Sequence, residues 1–116
     1  MTIQNVKDIL GAELVAGQDL NREVKTACGS DMMSDVLAFV KDQSVLLTGL
    51  VNPQVVRTAE MMDMRCIVFV RGKEPDEAII RLANDHDIVL LKTHYRMFTA
   101  CGLLYKNGLE GGCEPA

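Results

Sequence analysis

The stretch SVLLTGLVNP, residues 44–53, decides how the chain reads. Its apolar run Val45-Leu46-Leu47 does not alternate with polar residues, which is the pattern of a strand buried on both faces. Thr48-Gly49 breaks the run. Asn52-Pro53 then opens a helix, because the N–H that proline lacks would have no intrahelical partner at the first helical position. A strand, a tight loop and a helix start follow one another within this short segment.

The same unit recurs downstream. Cys66-Ile67-Val68-Phe69-Val70 is a second apolar run, followed by the loop Arg71-Gly72-Lys73 and a helix opened by Pro75, with Asp76 and Glu77 in its first turn. Ile88-Val89-Leu90-Leu91 is a third, with Thr93 as the cap of a last helix that Gly108 stops. The three strand–helix units, 44–63, 66–86 and 88–107, are spaced by about 22 residues. Each helix has a single apolar face: Val55, Val56, Ala59 and Met62; Ile79, Leu82, Ala83 and His86; Met97, Ala100, Cys101 and Leu104. Upstream, Thr2 caps a short helix carrying Ile3, Val6 and Leu10, and Gly11 ends it. Residues 12–16 and 23–27 read as two further strands at the sheet margins. Ser30 or Asp31 caps a helix presenting Met33, Val36, Leu37 and Val40, and a cap is the favoured role for Asp31.

Apolar strands alternating with amphipathic helices require a parallel sheet covered on both faces. The expected fold is therefore α/β, a three-layer α/β/α arrangement with a mainly parallel sheet of about five strands. At 116 residues the length suits one domain. Its bounds are expected at 1–108, with a flexible C-terminal tail over 109–116.

Composition narrows the function. The net charge is −4 and there are two tyrosines, three phenylalanines and no tryptophan, so neither a basic stripe nor a stacking platform for nucleic acid is present. The polar N-terminal segment is no signal peptide and no apolar run is long enough to span a membrane, which implies a cytoplasmic protein without membrane contact. The four cysteines are scattered and form no CxxC, so reduced thiols are expected and neither a metal site nor a cofactor. Cys28 stands out, because a following helix N-terminus can lower a thiol pKa. Met32, Met61 and Met64 lie partly off the helical stripes and would, if exposed, form a self-association patch.

With these segments in view, the chain resembles the DRTGG domain family over about residues 5–106. Ser30-Asp31-Met32 stands where Gly-Asp-Arg is usual, and Thr48-Gly49-Leu50 where Thr-Gly-Gly is usual. Pro53 fits the helix start, and Lys92-Thr93-His94-Tyr95 occupies the late loop without the usual Asp. The resemblance is to short stand-alone members, related to the N-terminal domain of HPr kinase. It implies a non-catalytic regulatory or dimerising domain, a homodimer acting through a protein partner or small ligand, with a link to redox enzymes of the hydrogenase type. A kinase activity does not transfer, because the chain has no GxxxxGK[ST] phosphate loop.

Open parallel sheets bind ligands beyond the carboxyl ends of their strands. That edge gathers the loops at 28–31, 48–52, 71–73 and 93–96. The candidate ligand-binding residues are Asp31, Thr48, Gly49, Arg71, Lys73, Thr93, His94 and Arg96. Their basic groups, together with helix N-termini aimed at the same edge, suit a small anionic ligand, a nucleotide, phosphate or other anionic metabolite, and the alternative function is a sensor of such a ligand. No set of residues suggests a catalytic triad, and catalytic residues are expected to be none.

Overall fold

The computed structural model describes residues 1–39 and 44–111. The elements run α1 (Ile3–Leu10), β1 (Glu13–Ala16), β2 (Thr26–Gly29), α2 (Met33–Phe39), β3 (Ser44–Thr48), α3 (Pro53–Met61), β4 (Cys66–Phe69), α4 (Glu77–Asp85), β5 (Val89–Lys92) and α5 (Met97–Lys106). The five strands form one sheet in the order β1-β5-β4-β3-β2. Strands β2 to β5 are parallel, and β1 pairs antiparallel with β5 at one margin.

The alternation of side chains along each strand explains the three layers. Val45, Leu47, Cys66, Val68, Val89 and Leu91 face one way, where α1 and α5 cover them with Ile3, Val6, Leu10, Ala100 and Leu104. Leu46, Ile67, Phe69 and Leu90 face the other way, under α2, α3 and α4 with Met33, Val36, Val55, Ala59, Ile79 and Ala83. The unbroken apolar runs are thus what a central strand with helices on both sides must carry.

The ends of the elements are set locally. Thr2 and Asn5 form a capping box on α1, and Gly11 closes that helix in the left-handed region at φ 55°. Asp76 caps α4 by accepting from the Ile79 N–H at 3.0 Å, so Pro75 precedes the cap instead of opening the helix. The N-cap of α5 is Arg96, not Thr93. Gly17, just after β1, has φ 99°, and a methyl group there would lie 2.8 Å from the Val89 Cα. The backbone of β5 passes too close for any side chain at that turn.

Several sequence expectations change. The second strand is Thr26–Gly29, shifted toward the loop from 23–27, because its parallel register pairs Thr26 with Ser44 and Gly29 with Leu47. Leu37 is exposed at 39%, whereas Met64 is buried at 3% and belongs to the core. His86 ends α4 as its C-cap and is exposed. Val40 and Cys113 lie outside the described residues. Two residues beyond the expected boundary at 108 have described contacts, and 112–116 lie outside the described residues. Leu109 is buried at 4%, and the Glu110 carbonyl accepts from the Ala27 N–H at 2.8 Å, beside the margin of β2.

Candidate functional site

Because β2 to β5 are parallel, the loops that follow them meet along one edge. Helix α5 brings them closer still. It leaves β5 and runs back on the opposite face from α2, α3 and α4, packing against β3 and β2. Gly29 leaves room for its approach to β2, since a methyl there would lie 2.7 Å from Cys101 Sγ and 3.1 Å from Met97 Sδ and would push those side chains aside. The start of α5 is thereby laid beside the β2–α2 loop.

The centre of this edge is a hydrogen-bonded unit of Asp31, Thr48 and Gly49. Asp31 Oδ1 accepts from the Gly49 N–H at 2.7 Å and from the Thr48 hydroxyl at 3.0 Å. Thr48 Oγ1 in turn accepts from the Leu50 N–H at 3.1 Å. The side chain of Asp31 therefore binds the loop after β3 instead of capping α2, where Ser30 Oγ accepts from the Met32 N–H. The Arg71 guanidinium rests over Gly49, in the space that a Cβ there would fill. Met32, at the position where the resemblance expects arginine, is exposed, so the cation beside the unit is Arg71.

Arg71 has φ 60°, an uncommon conformation for a residue with a side chain. Backbone bonds impose it: the Arg71 N–H donates to the Tyr95 carbonyl and the Gly72 N–H to the Thr93 carbonyl, each at 2.8 Å. Strained backbone of this kind concentrates at ligand clamps and active sites. Here it ties the β4–α4 loop to the β5–α5 loop and sets the direction of the guanidinium.

A cleft of about 450 Å³ opens over the unit, lined by Ser30, Asp31, Arg71, Arg96, Met97 and Phe98, with Gly29 and Val70 at its base. Among the described residues neither Arg71 nor Arg96 forms an ion pair with a carboxylate within 4.0 Å; the ion pairs are those of the N-terminus with Glu23 and of Lys92 with Glu13 and Glu74. The first turn of α5 has no side-chain cap. The cleft therefore offers two guanidinium groups, one carboxylate and an apolar wall on which Phe98 is the most exposed member.

Of the candidate residues, Asp31, Arg71 and Arg96 line the cleft, and Thr48 and Gly49 support it from below. Thr93 is buried, and its hydroxyl donates to the Leu10 carbonyl at 2.9 Å, holding the end of α1 to the sheet. His94 stands next to Gly72, and it and Lys73 are exposed outside the cleft lining. Sequence reasoning missed Phe98 and Met97 as cleft residues. The available signal was that Phe98 falls off the stripe of α5.

The thiols are not part of this edge's chemistry. Burial, then the neighbouring Cys101 and Asp35, raise the Cys28 pKa, the reverse of the lowering expected from a helix N-terminus. Complete burial pushes Cys66 up to about 12. No group of metal-ligating residues occurs among the described residues.

The Asp31 carboxyl is held below its ordinary value, first by the Gly49 N–H bond, with the Thr48 hydroxyl and Arg71 charge assisting against desolvation. A folded pKa below the unfolded one adds stability above the unfolded value and loses it as pH falls through the folded value. Urea midpoints should therefore drop as pH falls below about 4, and Asp31→Asn should flatten that acid limb. An unchanged acid limb in the variant would show that other carboxylates carry it.

Comparison with known proteins identifies the family and the fold. A family model described as the DRTGG domain covers residues 5–106. The chain belongs to the DRTGG domain family. The hydrogen-bonded unit of this DRTGG domain unites Asp31, Thr48 and Gly49, the positions at which the sequence resembles the family signature. A similar solved structure is described as the CBS and DRTGG domains of the regulatory region of Clostridium perfringens pyrophosphatase, complexed with the activator diadenosine tetraphosphate. It is 18% identical with a TM-score of 0.73, over 96% of this chain and 48% of that one, so this DRTGG domain spans about half of that regulatory region and shares its fold. No curated protein sequence matches the chain. Among the described residues no helix is long and apolar enough to cross a membrane.

Proposed function

We propose that the chain is a non-catalytic, cytoplasmic regulatory domain whose strand-end cleft binds a phosphorylated ligand bearing a flat apolar group, the chemistry of a nucleotide. The observation that carries this reading is the pairing of Arg71 and Arg96, which form no carboxylate ion pair among the described residues, with the apolar lining of Val70, Met97 and Phe98. Guanidinium groups bind phosphate oxygens bidentately and stack on planar rings. The uncapped start of α5 adds N–H donors that favour the same anion. Asp31 keeps accepting capacity beyond its two bonds, which suits sugar hydroxyls. A nucleotide activator bound to the pyrophosphatase regulatory region supports the class of ligand.

Ligand binding would act on a protein partner by ordering the loops of the cleft, and the family resemblance favours a redox enzyme as that partner. The test is thermal unfolding against a panel of mononucleotides, dinucleoside polyphosphates and pyrophosphate. A true ligand raises the midpoint with the logarithm of its concentration, by about 2.7 kcal/mol of stability at a hundredfold excess over Kd. A panel that shifts nothing, or equal shifts in wild type and Arg96→Ala, would overturn the reading.

A further inference from the structure

Helix α5 has a second face that the fold leaves open. Ala100 and Leu104 are buried against the sheet, yet Phe98 is 90% exposed and Tyr105 75%. Gly102 is exposed between them. From Met97 to Tyr105 no residue is charged, in a chain where charged residues make up 24%. A helix apolar on all sides is normally buried on all sides. Beside this face runs a groove of about 350 Å³ bordered by Ala27, Gly29, Cys101 and Leu109.

Gly102 adds a second observation. A methyl group there would meet nothing within 4 Å. Among the described residues nothing requires glycine at that position, although glycine weakens a helix interior relative to alanine. Close approach of another backbone is the remaining use for a residue without a side chain. The exposed sequence also reads nearly the same in both directions: Phe98, Cys101, Gly102 and Tyr105 run aromatic, small, small, aromatic about their midpoint.

A two-fold interface joins a patch to itself. Two copies of α5 crossing antiparallel at Cys101 and Gly102 bring each Phe98 against the partner's Tyr105. Aromatic side chains bury roughly 150–250 Å² each. The two per copy would supply about two-fifths to three-fifths of the roughly 800 Å² that one partner contributes to a standard interface. A chain of net charge −4 repels its own copies except across an uncharged face, and this helix provides one.

We propose that this face of α5 is a homodimer contact and that the dimer completes the ligand cleft. Phe98 belongs to both surfaces: it lines the cleft and borders the groove. The second copy therefore closes the open side of the cleft with its tyrosine. The coupling rests on the ligand reading above; the contact does not.

Sedimentation velocity without nucleotide tests the contact first. Wild type should be a dimer at high micromolar concentration, and Gly102→Arg, placed where there is open space, should be a monomer that keeps the far-UV circular dichroism of the folded chain. Met61→Arg, on an exposed methionine of α3, should leave the dimer intact. A wild-type monomer, a dimeric Gly102→Arg, or dissociation by Met61→Arg would overturn the proposal. Once a nucleotide that shifts the wild type is in hand, its affinity for Gly102→Arg should fall by about tenfold or more. Equal affinity in the monomeric variant would overturn the completed cleft. If no nucleotide binds wild type but Gly102→Arg still splits the dimer, the contact is upheld and the ligand reading alone fails.

Discussion

Gly17→Ala should destabilise the domain by more than about 2 kcal/mol, among the larger effects available to a single methyl group. Two causes act together. The residue has φ 99°, and the added carbon would lie 2.8 Å from the Val89 Cα and 2.9 Å from its Cγ2. A flexible side chain could move aside, but the first of these atoms is backbone in the middle of the sheet. The turn would have to open, and β1 would lose its register on β5, where Ala16 pairs with Leu90. Urea unfolding should show a lower midpoint with the slope retained. A Gly17→Ala variant as stable as wild type would mean that the β1–β5 pairing yields easily.

Gly49→Ala should have the opposite profile, with a large effect on binding and a small one on stability. The new methyl would occupy the place of the Arg71 guanidinium. That group is the far end of a flexible side chain, so it can swing away at little cost to the fold. Leaving the cleft, it would take with it one of the two cations that the proposed ligand needs. For a charge-assisted bidentate contact this amounts to about 1.5–3 kcal/mol, or roughly ten- to a hundredfold in affinity. Arg71→Ala should give the same loss, and the double variant little more, because both remove one group. Titration calorimetry with the best nucleotide of the panel would measure it. Additive losses would show that Gly49 acts other than through Arg71.

The fold was legible because its signals are local. Val45-Leu46-Leu47 and its counterparts declare strands covered on both faces, and Pro53, Gly11 and Gly108 mark helix ends within a few residues of the apolar stripes. The site was legible only in outline. Strand ends and basic loops placed Arg71 and Arg96 at one edge of the sheet, where both line the candidate cleft, but Asp31 was read as a helix cap because its partners, Thr48 and Gly49, lie 17 and 18 residues away. Thr93 was misread for the same reason, since its hydroxyl answers to Leu10, 83 residues distant. Phe98 was missed because a helix stripe identifies the face toward the core and is silent on what the other face serves.

The bond between Glu110 and Ala27 has a consequence for the margin of the sheet. Strand β2 is the outermost parallel strand, and an outermost strand offers unpaired N–H and carbonyl groups to any extended chain that drifts past. Glu110 occupies part of that row, accepting from Ala27 and bridging Thr26, with Leu109 pinned in the core beside it. A chain cut after Gly108 would keep every strand and helix, yet it would uncover this margin. The short segment after α5 thus serves as a guard against sheet extension and aggregation, with a negative charge placed where an intruding strand would begin to pair.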